Sequence, residues 1–249
     1  MHDLPNPSAD LDEPFELVSP EARADFIVVC DHASNALPPE YGTLGLDPAE
    51  SRFSRLVIDP NRGEDDPTIV MKLSDGAIVP GNRDVDACKD KGEFARRIAL
   101  FHAPYHAAIE RLIARARALD IVPVIVSVHS FTPRWRSFVR PWETGLLWDK
   151  DDRMIVPLLT ALRAQGFTVG DNEPYTGKLR NDCMYAHATV HGLPHVLIEI
   201  RQDLIESEEG QAEWATRYAK HLLDAASAPG LRKIRFFGSH TDPSLPISE

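Results

Sequence analysis

The sequence predicts an α/β fold in which a mixed, mainly parallel sheet is flanked by helices. Two observations carry this expectation. Phe26–Cys30 (FIVVC), Pro123–Val128 (PVIVSV) and His195–Ile200 (HVLIEI) are short apolar runs rich in β-branched residues, as strands buried on both faces tend to be. Between them lie helical patterns of about ten residues or more, the alternation that builds strand–helix–strand units.

Taken in order, FIVVC stops at Asp31-His32-Ala33-Ser34-Asn35, where the polar residues begin. Leu56–Asp59 (LVID) repeats the arrangement and runs into Pro60-Asn61-Arg62-Gly63. The Pro/Gly/Asp-rich stretch from there to Asp90 is longer than an ordinary connection, so it is expected to be functional or to hold short strands of its own. From Gly92 to Ala118, apolar residues at Phe94, Ile98, Phe101, Tyr105, Ile109, Leu112 and Ala116 recur in steps of three and four and predict an amphipathic helix. Pro104 interrupts that pattern and predicts a kink or a break.

PVIVSV predicts a strand ending on His129-Ser130. Gly145–Trp148 and Phe167–Val169 read as short strands, Asp152–Gln165 as a helix closed by Gly166, HVLIEI as a central strand and Glu208–Ala226 as a helix. Residues 16–236 are thus expected to form a single catalytic α/β domain. A proline- and acid-rich arm precedes it at 1–15, and an irregular tail follows at 237–249.

The chain has 249 residues, 43% of them hydrophobic, enough for a full core, and a net charge of −11. That charge argues against nucleic acid as a partner, although arginines focused in a cleft can still bind an acidic small molecule. The arm lacks the apolar core of a signal peptide, and no apolar run reaches the length of a membrane-spanning helix. Cys30, Cys88 and Cys183 show no paired spacing, as expected of reduced thiols in a cytoplasmic protein. Net charge thus limits partners without identifying a substrate: neither nucleic acid nor membrane is expected, and oligomerisation is left open.

In such sheets the ligand site lies beyond the carboxyl ends of the strands, where His32, Asn61, His129 and Glu199 all fall. Neutral imidazoles at two strand ends suit zinc; the plainer alternative is that His32 and His129 cap their strands. A third ligand would come from Asn35, Asp31 or Asp59. Glu199 stands in an apolar strand, where an uncompensated carboxylate is costly. It is either an ion-pair partner of Arg201, two residues along on the same face, or a general base beside a metal-activated water.

The pairs Asn61-Arg62 and Asn82-Arg83 offer planar forks for a substrate carboxylate; alternatively the arginines pair with Asp65 and Asp84. Arg134, Arg136 and Arg140 form either a positive rim or a solvated loop. His102 and His106 stand four apart but lack the Glu of a helical zinc motif, which favours a structural role. His187, His191 and His195 are separated by the helix breakers Gly192 and Pro194. Cys183 reads as a packed thiol, with a nucleophilic role ranked last.

Together, Val29-Cys30-Asp31-His32-Ala33-Ser34-Asn35, Leu56-Val57-Ile58-Asp59-Pro60-Asn61-Arg62, Phe101-His102-Ala103-Pro104-Tyr105-His106, Ser127-Val128-His129-Ser130-Phe131 and Ile198-Glu199-Ile200-Arg201-Gln202-Asp203 resemble the N-formylglutamate amidohydrolase family, from about Phe26 to Ala226. That family is in turn similar in fold to the zinc carboxypeptidases and aspartoacylases (phosphorylase/hydrolase-like). The resemblance implies Zn2+ held by His32, Asn35 and His129, with Asn35 where the wider superfamily has a ligating Glu. It implies Glu199 and Arg201 as catalytic residues and Asn61, Arg62 and Arg83 as substrate-binding residues. The implied reaction is hydrolysis of the amide of an N-acyl, N-formylglutamate-like carboxylated small molecule by metal-activated water. The alternative is a catalytically impaired binding protein for a carboxylated ligand. A helix with a His and an Asp-x-Gly-Ala motif, usual in the family between the first two blocks, has no counterpart where Glu50 runs into Ser51.

Overall fold

The computed structural model describes residues 14–23, 25–33, 54–74 and 76–248. Asn35 and the Glu50–Ser51 junction lie outside the described residues. Two compact units emerge, one comprising Met1–Ala22 and His32–Arg111, the other Arg23–Asp31 and Leu112–Glu249.

The second unit holds the sheet. Its strands β1 (Phe26–Val29), β4 (Val124–Phe131), β7 (Thr144–Leu147), β8 (Val169–Asp171) and β9 (His195–Arg201) lie in the order β1-β4-β9-β7-β8. β1, β4 and β9 run parallel, as do β7 and β8, while β7 is antiparallel to β9. The mixed, mainly parallel sheet expected from the sequence is therefore present, with HVLIEI at its centre. β1 is an edge strand, and Val28 is exposed rather than buried on both faces.

Strand alternation gives the sheet two chemically different faces. Val124, Val126, Leu146, Val196, Ile198 and Ile200 pack with Leu158 and Leu162 of α3 (Ile155–Ala164) and with Trp214, Tyr218 and Leu222 of α5 (Glu208–Ala226). The helix α3 ends where Gly166 takes φ +91°, a conformation that side chains with a Cβ resist. The opposite face carries Ser127 and His129 on β4 and Leu197, Glu199 and Arg201 on β9. β5 (Arg134–Trp135) and β6 (Phe138–Val139) form a small hairpin beyond β4. The five-residue helix α4 (Cys183–His187) is capped by the Asp182 carboxylate, which accepts the Tyr185 N–H at 2.8 Å. The described residues beyond Phe237 form no helix or strand, yet they are anchored: Phe237 bridges to Ile247, and the His240 N–H meets Asp149 Oδ2 at 3.0 Å.

In the first unit, LVID is not a strand. Ser54 closes a turn over it, its carbonyl accepting the Val57 N–H at 2.9 Å and its hydroxyl the Leu56 N–H at 3.2 Å. Val57 and Ile58 are buried all the same, packing with Ile69, Val70, Val79, Val85 and Phe101, while Leu56 is partly buried against them. The long stretch to Asp90 does carry short strands, β2 (Leu73–Ser74) paired with β3 (Ala77–Ile78). The helix expected over Gly92–Ala118 divides into α1 (Lys91–Arg97), a π-helical turn over Ile98–His102 and α2 (Ala103–Ala118). The break comes just before Pro104, with the Ala103 N–H reaching five residues back to the Ile98 carbonyl. Of the arm at 1–15, Pro14 and Phe15 are described, and Phe15 is buried.

Candidate active site

In the first unit, His32 sits in a turn and its Nε2 meets Asp59 Oδ1 at 2.6 Å. A carboxylate only accepts, so Nε2 carries the proton. Arg55 Nη1 approaches His32 Nδ1 at 3.3 Å, which makes Nδ1 the lone-pair nitrogen. Arg55 Nη2 donates to Asp59 Oδ2 at 2.5 Å, and the Asn61 N–H donates to Oδ1 at 2.9 Å. Burial opposes ionisation of Asp59. The hydrogen bond from His32, then the charges of Arg55 and Arg62, outweigh burial and hold its carboxyl at about 2, below the ordinary 3.8.

Asn61 is buried, and Arg62 donates from Nη1 to the Asn61 carbonyl at 2.6 Å. Arg62 Nε lies 3.7 Å from Asp66 Oδ2. The spacing of His102 and His106 puts both on this same loop. His102 Nε2 donates to the Arg62 carbonyl at 2.8 Å and His106 Nε2 to the Pro60 carbonyl at 2.9 Å, with the rings 4.2 Å apart. Burial pushes the His102 pKa down, against the Arg62 carbonyl and the charges of Glu64 and Asp59, which pull it up.

Asn82 is spent on structure. Its Nδ2 donates to the Leu56 and Met71 carbonyls at 2.7 and 2.8 Å, and its Oδ1 accepts from the buried Arg97 at 2.7 Å. Arg83 is exposed beside it, and Asp84 meets Lys89 at 3.4 Å.

In the second unit, His129 and Glu199 are register partners on adjacent parallel strands, so their side chains leave the same face of the sheet. His129 lies within β4, not at its end, because the alternation continues through Ser130 and Phe131. Its Nε2 meets Asp31 Oδ2 at 3.0 Å and Ser127 Oγ at 2.9 Å, and Ser127 Oγ donates to the same Asp31 oxygen at 2.9 Å. A carboxylate only accepts, so Nε2 again carries a proton.

Glu199 is 4% exposed. Arg201 turns to Asp203 with two contacts of 2.7 and 3.1 Å and donates to the Trp142 carbonyl at 3.2 Å. On the other side of Glu199, Gly145 of β7 is its register partner. A Cβ there would meet the Glu173 carbonyl oxygen at 2.0 Å, so only glycine fits. The main chain at Glu199 is fixed from the core face: Thr144 Oγ1 donates to the Glu199 carbonyl at 2.6 Å and accepts from Tyr218 Oη at 2.5 Å. Burial raises the Tyr218 pKa further, keeping it a donor.

His187, His191 and His195 fall on α4, on a 3-10 turn and on β9 respectively, and Cys183 is fully buried. Arg134 and Arg136 are exposed on the β5–β6 hairpin, whereas Arg140 is buried.

His32 and His129 thus each have Nε2 against a buried carboxylate. A carboxylate placed this way fixes the tautomer of an imidazole and strengthens it as a ligand. Imidazole is a zinc donor by type, but Arg55 Nη1 stands 3.3 Å from His32 Nδ1 and would have to move aside for a metal at that nitrogen. Among the described residues no group of three or more His, Cys, Asp or Glu is placed to hold a metal. Asp31 and Asp59, weighed from the sequence as ligands, contact His129 and His32 respectively. Nothing in the sequence marked Thr144 or Tyr218.

The family model for N-formylglutamate amidohydrolase matches residues 43–206, about two thirds of the chain. Among solved structures, gene product Atu2144 from Agrobacterium tumefaciens is 31% identical, with a TM-score of 0.76 over 84% of this chain and 93% of that one. N-formylglutamate amidohydrolase from Ralstonia eutropha JMP134 shares the fold at 22% identity and a TM-score of 0.51, over 80% of this chain and 91% of that one. A search of curated proteins gives no match. With a family model matching about two thirds of its length and a solved structure 31% identical over 84% of it, the chain belongs to the N-formylglutamate amidohydrolase family.

Proposed function

We propose that this protein is a cytoplasmic zinc-dependent amidohydrolase that cleaves the amide of an N-acyl, N-formylglutamate-like carboxylated small molecule. The observation that carries the reading is the carboxylate on Nε2 of each of His32 and His129. These two histidines are assigned as zinc ligands, with Asn35 as the third. A zinc ion held there would supply a Lewis acid for the amide carbonyl.

The chain's own residues do the rest. Glu199 takes a proton from the attacking water as its oxygen bonds to the carbonyl carbon, then returns the proton to the amide nitrogen as the C–N bond breaks. The products are a carboxylic acid and an amine. Arg201, steadied by Asp203, stabilises the negative charge developing on the carbonyl oxygen. Asn61, Arg62 and Arg83 hold the substrate carboxylate.

Metal analysis combined with a screen of N-formyl, N-acetyl and N-succinyl amino acids tests this. About one zinc per chain and acyl release that Glu199→Gln abolishes while zinc is retained are expected. No bound zinc and no hydrolysis after zinc addition would overturn it. Ligand binding indifferent to chelator and to Glu199→Gln would instead establish a binding protein.

A further inference from the structure

The stretch Ser130–Trp142 holds three arginines and no acidic residue in a chain of net charge −11. Arg134 and Arg136 are exposed and meet solvent. Arg140 is 5% exposed, yet its contacts among the described residues are all with neutral groups. Nη1 donates to the Thr132 carbonyl and hydroxyl, both at 3.1 Å, and Nη2 to Tyr175 Oη at 3.1 Å. Its guanidinium carbon lies 5.6, 5.7 and 5.1 Å from the ring centres of Phe131, Trp135 and Tyr175.

Cation–π contacts offset part of the cost of burying a cation, but a guanidinium out of water is ordinarily matched by an anion. Among the described residues no carboxylate forms an ion pair with Arg140. Its Nε–H and second Nη2–H, the parallel donors that grip a carboxylate side-on, are left over by the contacts above. The surrounding rings reach the surface, Trp135 being 43% and Tyr175 45% exposed. Phe131 lies two residues beyond His129 on the same strand, and so on the face that also carries Glu199.

We propose that Arg140 and its aromatic surround form a recognition site for a second substrate carboxylate, the one at the end of an aliphatic side chain and not the one assigned to Asn61, Arg62 and Arg83, with the rings covering the arm and the guanidinium binding its carboxylate. The proposal deepens the amidohydrolase reading and rests on it for the identity of the ligand as substrate.

N-formylglutamate and its neutral counterpart N-formylglutamine are titrated calorimetrically into the full-length chain and into Arg140→Met and Arg140→Lys. The unchanged protein is expected to prefer the glutamate compound by about 10- to 100-fold, the worth of a charge-assisted fork. Arg140→Met should bring that preference to within about twofold, and Arg140→Lys, with charge but no fork, to an intermediate value. Absence of any preference in the unchanged protein overturns the proposal. So does an undiminished preference in folded Arg140→Met or, should that variant not fold, in Arg140→Lys. Hydrolysis is followed in parallel: charge-selective binding that depends on Arg140 without amide cleavage would uphold this site and sink the amidohydrolase reading.

Discussion

Replacing Thr144 by Val keeps the shape of a fully buried side chain and removes one hydroxyl that serves two neighbours. The Glu199 carbonyl loses a 2.6 Å hydrogen bond, at about 1 kcal/mol. Tyr218 Oη, which donates to Thr144 at 2.5 Å, is left buried without an acceptor, at about 1–3 kcal/mol more. Thr144→Val should therefore destabilise the fold by about 2–4 kcal/mol. Tyr218→Phe alone removes one donor and should cost about 1 kcal/mol. In the double variant no hydroxyl is stranded, so its cost should fall to about 1–2 kcal/mol, below the sum of the single changes. Urea unfolding of the four proteins, compared at equal dependence on denaturant, measures this coupling. Strict additivity, or a Thr144→Val cost under about 0.5 kcal/mol, would refute the reasoning that one hydroxyl joins α5 to the strand bearing Glu199.

Three further outcomes are expected. Asp59→Asn should weaken zinc binding by about 10- to 100-fold in competition with a chelating dye, because His32 loses the charge that orients it; unchanged affinity would remove Asp59 from that role. Because burial lowers the His102 pKa below its ordinary 6.5, its contribution to stability is complete above about pH 6.5 and is lost as the pH falls through the folded value. The stability difference between the unchanged protein and His102→Gln, whose amide still donates to the Arg62 carbonyl but does not titrate, should therefore shrink on acidification from pH 7.5 to 5; a constant difference counts against it. Gly145→Ala drives a Cβ into the Glu173 carbonyl oxygen and should cost about 3 kcal/mol or more, read as a fall in the unfolding midpoint.

The strands and long helices were legible because their signals are local. FIVV, VIVSV and HVLIEI carry β-branched apolar runs, and the boundaries of α5 follow from Ser207, whose hydroxyl accepts the Gly210 N–H at 3.2 Å, and from its apolar period. LVID misled because composition cannot distinguish a buried turn from a buried strand; the closing bonds come from Ser54, outside the apolar run. The helix α4 escaped notice because five residues are too few to show a period. Near the candidate site, the residue types were readable but their allegiances were not. Arg201 lies two residues from both Glu199 and Asp203, and only the path of the chain after β9 turns it to Asp203. The same limit hid the service of Asp31 to His129, which spans 98 positions.

The π-helical turn at Ile98–His102 holds one residue more than a regular α-helix would accommodate over the same hydrogen bonds. Deleting that residue would restore α-helical pairing and rotate everything after it by about 100° relative to α1. His102 and His106 would then swing away from the carbonyls of Arg62 and Pro60. Their grip on the Asn61-Arg62 loop is therefore written in the length of the helix as much as in the two imidazoles. Where a relative keeps both histidines but is one residue shorter here, identity at those columns of an alignment does not establish the same contact.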